Sequence, residues 1–199
     1  MANWTIGTGS VMTHGRTRYG AGTPAIQYFQ ESTCPSTQVI KYGDVVSRDT
    51  TTSTGGLRIR RGYSSGGNGG NLLLIAQTIL GIAAEASTSD GSTAGLVDPS
   101  SAAPGTAIKR KIGVFVAEPD AEFLGYLSAG ASASSNNGDN FAVRFDSTNQ
   151  VWMVDSTNST AALVTVKQTG IPEGTEGDTN GPVYFKFLSS NVYLGTVSV

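Results

Sequence analysis

The residues of this chain that could do chemistry are few and scattered. Its one histidine, His14, lies twenty residues ahead of its one cysteine, Cys34. A thiol beside an imidazole can become a nucleophile, but the base needs a third group to orient it, and neither residue has a setting that supplies one. Two unremarkable residues on an extended segment are the expectation. Zinc wants a full set of thiolate and imidazole ligands, which the chain cannot assemble. Glu118, Asp120 and Glu122 cluster around Pro119. Paired carboxylates hydrolyse glycosidic bonds when held at set separations, and clustered ones bind calcium. In an E-P-D-A-E run between apolar segments, the simpler expectation is a solvated connection between strands. Asp139, Asp146 and Asp155 fall in Asn/Ser/Thr-rich turns, where a short carboxylate caps nearby backbone amides. The glycine cluster Tyr63–Gly70 invites a phosphate-loop reading but lacks the Gly-Lys-Ser/Thr ending, so a loop between strands is expected. No nucleophile elbow, kinase set or dinucleotide fingerprint is present. The chain reads as a non-enzyme with no cofactor and no metal site.

The elements that would position these residues follow from composition and punctuation. At 199 residues the chain has the length of one moderate domain, alone or with an appendage. Charged residues make up only 14%, against a usual quarter or so, and 26 residues are glycine. Ser, Thr, Asn and Gly must then cover the surface, as in all-β proteins that live packed against partners. Thirteen Lys and Arg against fifteen Asp and Glu give no basic stripe, so nucleic acid is not an expected partner. One cysteine excludes an internal disulfide, and the start of the chain has no signal-type apolar segment, which points to assembly in the cytoplasm.

Residues 1–36 hold no sustained period, being broken at Gly7, Gly9, Gly15, Gly20 and Gly22 and bounded by Pro24 and Pro35. Yet Trp4, Tyr19, Tyr28 and Phe29 lie there beside Arg16 and Arg18. A solvated tail is poor in aromatics, whereas aromatics and arginine carry interface energy. The reading is an extended N-terminal arm, 1–36, that lays Trp4, Arg16, Arg18, Tyr19, Tyr28 and Phe29 on a neighbour, ahead of one domain, 37–199. The plainer alternative is an arm folded back over its own barrel. On the first reading, removing residues 1–33 leaves a folded barrel that no longer binds.

From Gln38 the punctuation becomes regular. Short strands are expected at 38–41, 45–48 and 57–60, then at 107–117, where Ile112, Val114 and Val116 share one face. Further strands are expected at 121–127, 141–145, 151–154, 162–167, 183–188 and 192–199, with Val183, Phe185 and Phe187 alternating against Tyr184 and Lys186. Such spacing argues an all-β fold, a small β-barrel or β-sandwich of short strands with long Gly/Ser-rich loops. The exception is Leu72–Thr88, the one long apolar run. Gln77, Thr78, Gly81 and Glu85 break it too often for it to span a bilayer, so no membrane contact is expected. Leu72, Ile75, Ala76, Ile79 and Ala83 fit a helical face, while residues 79–84 also fit a strand buried on both sides. Among neighbours that are all short strands, the run reads as two β segments, about 73–76 and 79–86. A kink at Gln77–Thr78 would separate them, and Gly81 would permit a bulge or close backbone approach.

Three segments in order, Gln38-Val39-Ile40-Lys41-Tyr42-Gly43-Asp44-Val45-Val46, Thr78-Ile79-Leu80-Gly81-Ile82-Ala83-Ala84-Glu85-Ala86 and Lys111-Ile112-Gly113-Val114-Phe115-Val116-Ala117-Glu118-Pro119-Asp120-Ala121-Glu122-Phe123, resemble those of tailed-phage capsid decoration (cement) proteins. Weaker similarity continues through Trp152–Asp155, Val164–Val166 and Val183–Phe187, over roughly residues 37 to 190. Residues 1–36 and 87–106 lie outside the pattern. The resemblance implies a virion protein on the outer surface of the mature capsid, assembled in the host cytoplasm. It would bridge subunits of the major capsid protein as a homo-oligomer, with a trimer favoured. The reading from a different class is a carbohydrate- or receptor-binding β-module of a phage tail or fibre, in which Trp152 and Tyr193 would stack on sugars.

Overall fold

Period-two segments punctuated by Gly, Asn and Asp fold as short strands, and the computed structural model is built from them. It describes residues 12–17, 26–31, 40–48, 58–61, 64–65, 71–74, 79–85, 111–128, 134–146, 148–169 and 177–192. The described strands are β1 (Thr13–Thr17), β2 (Ile26–Glu31), β3 (Val45–Arg48), β4 (Arg58–Arg61), β5 (Ser64–Ser65), β6 (Asn71–Leu74), β7 (Ile79–Ala83), β8 (Lys111–Val116), β9 (Ala121–Tyr126), β10 (Asn140–Asp146), β11 (Val151–Asp155), β12 (Val164–Thr169) and β13 (Pro182–Phe187). Two short 3-10 turns, Ser134–Asn136 and Ser189–Asn191, are the only helical pieces among the described residues. No described helix is long and apolar enough to cross a membrane. The expected all-β barrel or sandwich is the fold.

Five strands close a small barrel in the order β2-β4-β3-β7-β8. The remaining eight make one sheet, β1-β9-β13-β12-β10-β6-β5, with β11 paired to β10. All pairings between strands are antiparallel except β2 with β4, where Gln30 and Glu31 lie beside Arg58 and Ile59.

Alternation divides the apolar residues between two cores. Ile112, Val114 and Val116 share one face, as expected, and fill the barrel with Phe29, Ile40, Val46, Leu80 and Ala83. The other face of the same staves, carrying Val45, Ile79, Ile82, Phe115 and Ala117, joins a larger core shared with the eight-stranded sheet. At its centre Phe123, Phe185 and Phe187 form a mutual aromatic cluster with ring centroids 5.4 to 5.9 Å apart. Val183, Phe185 and Phe187 are buried there, while Tyr184 and Lys186 stay partly exposed.

Where it is described, the long apolar run is strand in two pieces that go to different sheets: β6 pairs with β10, whereas β7 is a central stave of the barrel; residues 75–78, with the expected kink, lie outside the described residues. β7 is buried along its whole length because both its faces meet a core. A strand of strict alternation would put residues 79, 81 and 83 on one side. Instead Ile79 and Ile82 face the larger core, and Leu80 and Ala83 the barrel. The change of phase is a β-bulge: Val46 pairs with Gly81 but Ser47 with Ile79, leaving Leu80 as the extra residue. Gly81 holds φ +153°, and a Cβ built there would lie 1.9 Å from the Phe115 carbonyl oxygen, so only glycine fits.

The described parts of residues 1–36 correct the extended-arm reading. β1 pairs with β9 at one edge of the large sheet, with Met12 fully buried in its core, and the Tyr184 ring packs over Gly15. β2 is a barrel stave, paired with β8 from Ile26 opposite Phe115 to Gln30 opposite Lys111. Without β2 the barrel lacks a wall and Phe29, so the described structure gives no boundary at residue 36 and no intact barrel after loss of residues 1–33. A smaller correction concerns one strand end: Ile40 and Lys41 lead into a turn and not a strand, while residues 38–39 lie outside the described residues. Of 192–199 only Val192 is described, bridging Ile79, and 193–199 lie outside the described residues.

Candidate interaction surface

Of the carboxylates singled out from the sequence, Asp146 and Asp155 make structural contacts through their side chains. Glu118 and Asp120 lie in the β8–β9 turn, closed by the Ala121 amide donating to the Glu118 carbonyl at 3.0 Å. Glu122 is buried on β9. Asp146 caps the β10–β11 turn as expected, accepting from the amides of Thr148 (2.8 Å) and Asn149 (3.2 Å). Asp155 goes further: besides the Thr157 amide (3.1 Å) and hydroxyl (2.6 Å), it faces Arg144 Nε at 3.1 Å. Those last two atoms are close but not aligned as a hydrogen bond, so charge holds the pair. Asp139 is exposed, and its carbonyl accepts from the Val166 amide. Among the described residues no cluster of His, Cys, Asp and Glu could hold a metal ion. His14 is placed by its backbone on β1 opposite Phe123, and Cys34 lies outside the described residues.

One acidic residue was not foreseen. Asp44 is only 2% exposed, and its Oδ1 accepts from the Trp152 indole at 3.0 Å while Oδ2 accepts from the Lys41 amide at 2.8 Å. The turn Lys41–Asp44 is thereby a junction between the two sheets. Its backbone exchanges bonds with Ala83 at the end of β7, through Gly43 N to Ala83 O (2.9 Å) and Ala83 N to Asp44 O (2.8 Å). Its Tyr42 hydroxyl meets the Thr13 hydroxyl of β1 at 2.7 Å. No local signal marks Asp44, because its indole partner is 108 residues away. Trp152 itself is 1% exposed and stacks on Phe145, which removes it from the sugar-stacking pair; Tyr193 lies outside the described residues.

Of the six residues expected to bind a partner, Trp4, Arg18 and Tyr19 lie outside the described residues, as does the side chain of Arg16. Phe29 is corrected to a barrel-core residue, 9% exposed. Tyr28, its neighbour, is 58% exposed. Three large hydrophobic side chains stand exposed among the described residues, Ile26 (43%), Tyr28 and Tyr42 (44%), and all belong to the barrel wall. Ile26 and Tyr28 share the outer face of β2, with Tyr28 directly opposite Gly113. Round the closed wall Tyr42 stands before β3, and β7 and β8 lie between it and Tyr28 on one side, β4 on the other.

Between them lies Glu85, where β7 ends. Ala84 still donates to the Gly113 carbonyl at 2.9 Å, and at the next position the Glu85 side chain takes over the ladder, Oε2 accepting from the Gly113 amide at 3.2 Å. Its Oε1 accepts from the Tyr28 hydroxyl at 3.4 Å. The lack of a side chain at Gly113 makes room for this, since a Cβ there would meet Ile26 Cγ2 at 3.1 Å and Glu85 Cδ at 3.3 Å. The result is a flat patch on the barrel: one carboxylate, one phenol ring and one branched aliphatic, fixed by strand register. Comparison of the chain with family models, with curated proteins and with solved structures finds no match.

Proposed function

We propose that this chain is a structural virion protein, a decoration protein that binds the outer surface of the mature phage capsid and stabilises it by bridging subunits of the major capsid protein. The observation that carries the reading is spatial. The three segments that resemble decoration proteins supply β3, β7 and β8, consecutive staves of one barrel, together with the turn into β9. Their order along the chain thus corresponds to one contiguous unit of the fold. The barrel that those staves build with β2 and β4 leaves Ile26, Tyr28 and Tyr42 exposed on its wall, side chains of the kind that anchor interfaces.

The mechanism is linkage. A protein that binds the expanded lattice and not the unexpanded one stabilises the expanded state by its binding free energy. Many copies, each touching more than one subunit and associated as a homo-oligomer (a trimer in this reading), add avidity. The test is co-sedimentation of the purified chain with expanded and with unexpanded heads, followed by heating of the decorated particles. Binding to expanded heads alone, with a raised disruption temperature, is expected; equal binding to both states, or none, refutes the proposal.

A further inference from the structure

Glu85 is an exposed carboxylate held in one orientation. Its two oxygens take neutral donors, the Gly113 amide at 3.2 Å and the Tyr28 hydroxyl at 3.4 Å. Among the described residues no cation lies within ion-pair distance of it. An exposed glutamate usually samples many rotamers, and a partner must then order it on binding. Here the strand ladder has already done so, which lowers the cost of association. The carboxylate is flanked by an exposed aromatic ring and by Ile26, so a partner covering the patch would exclude water from it and strengthen any opposite charge brought there.

We propose that Glu85, Tyr28 and Ile26 form a receptor for an arginine side chain presented by the protein this chain decorates. The identity of that partner rests on the capsid reading above; the chemistry rests on charge complementarity at the patch. A guanidinium is planar, pairs with a carboxylate through a fork of donors and stacks on an aromatic face. An ammonium could satisfy the charge but would leave the ring and the isoleucine with little to cover them.

The test is co-sedimentation with expanded heads at several salt concentrations, using the full chain. Glu85→Gln keeps an oxygen to accept from the Gly113 amide, so its circular dichroism and melting temperature should match the wild type. Its affinity for heads should fall about tenfold, with most of the salt dependence lost. Tyr28→Leu should weaken binding several-fold with the salt dependence retained. Heads whose arginines are blocked with cyclohexanedione should bind the wild type as weakly as untreated heads bind Glu85→Gln, while lysine-acetylated heads should bind normally. Equal binding by wild type and Glu85→Gln overturns the inference and leaves the capsid reading standing. A wild type that binds no heads overturns both. Sensitivity to lysine acetylation instead of arginine blocking overturns the choice of ligand. A Glu85→Gln change in self-association by ultracentrifugation, with head binding per copy unchanged, overturns the choice of partner in favour of a second copy of this chain.

Discussion

Gly81→Ala is the sharpest perturbation the fold offers, because its cost divides into two parts that can be measured separately. The first part is conformational: an L side chain at φ +153° is strained, at about 1–2 kcal/mol. The second is a collision with backbone. The new Cβ would lie 1.9 Å from the Phe115 oxygen and 2.9 Å from its carbonyl carbon, so no rotamer change relieves it. β7 and β8 must separate locally, which breaks bonds such as Ala117 N to Leu80 O at about 1 kcal/mol each and opens both cores beside Ile82 and Leu80. Together these come to about 3–6 kcal/mol, a large share of the roughly 5–15 kcal/mol that holds a domain folded. Gly138 supplies the control. Its φ is +93° with nothing within 4 Å of a built Cβ, so Gly138→Ala should carry only the conformational part, about 1 kcal/mol. Urea unfolding followed by fluorescence of Trp152, buried against Phe145, measures both. If Gly81→Ala costs no more than Gly138→Ala, the bulge and the close approach of β7 to β8 are wrong.

The junction between the sheets gives a second prediction. Trp152→Phe and Asp44→Ala should each destabilise by about 2–4 kcal/mol, and the double mutant should fall short of their sum by about 1–3 kcal/mol. Additive costs in urea melts would show that the indole–carboxylate bond contributes nothing. A third separates the neighbours Tyr28 and Phe29. Phe29→Ala should cost about 3–5 kcal/mol by thermal melting, whereas Tyr28→Leu should stay within about 0.5 kcal/mol. Deletion of residues 1–33 should give a chain without a cooperative melt, since β1 and β2 go with it; a sharp transition at the wild-type temperature would restore the detached-arm reading.

Much of this fold was legible wherever a strand declares its own faces. Val183, Phe185 and Phe187 alternate with Tyr184 and Lys186, and Ile112, Val114 and Val116 fall together on one face, as a period of two predicts. The apolar run was harder because β7 is buried on both faces and changes phase at its bulge, which blurs a period of two into something close to a helical one. Asp44 was illegible for a different reason: a buried acid announces itself only through its partner, and that partner lies in another sheet.

Residues 26–31 depart furthest from the sequence expectation, and they carry the candidate site. β2 reads as irregular because Gly20, Gly22, Pro24 and Pro35 stand close on either side of it in the sequence, and because both its barrel partners, β8 and β4, come later in the chain. Tyr28 and Phe29 were both assigned to a partner, on the ground that exposed aromatics bind. Two consecutive residues of a strand cannot share a face. Once residues 26–31 are paired with β8, one ring must enter the barrel and the other must leave it. The register Tyr28 opposite Gly113 decides which, and a slip by one residue would exchange them. Pairing with a glycine is also what leaves room for Glu85 beside Tyr28. The surface offered for recognition is therefore the by-product of closing the barrel: the same register that buries Phe29 against Ile112 and Val114 sets the phenol and the carboxylate side by side in water.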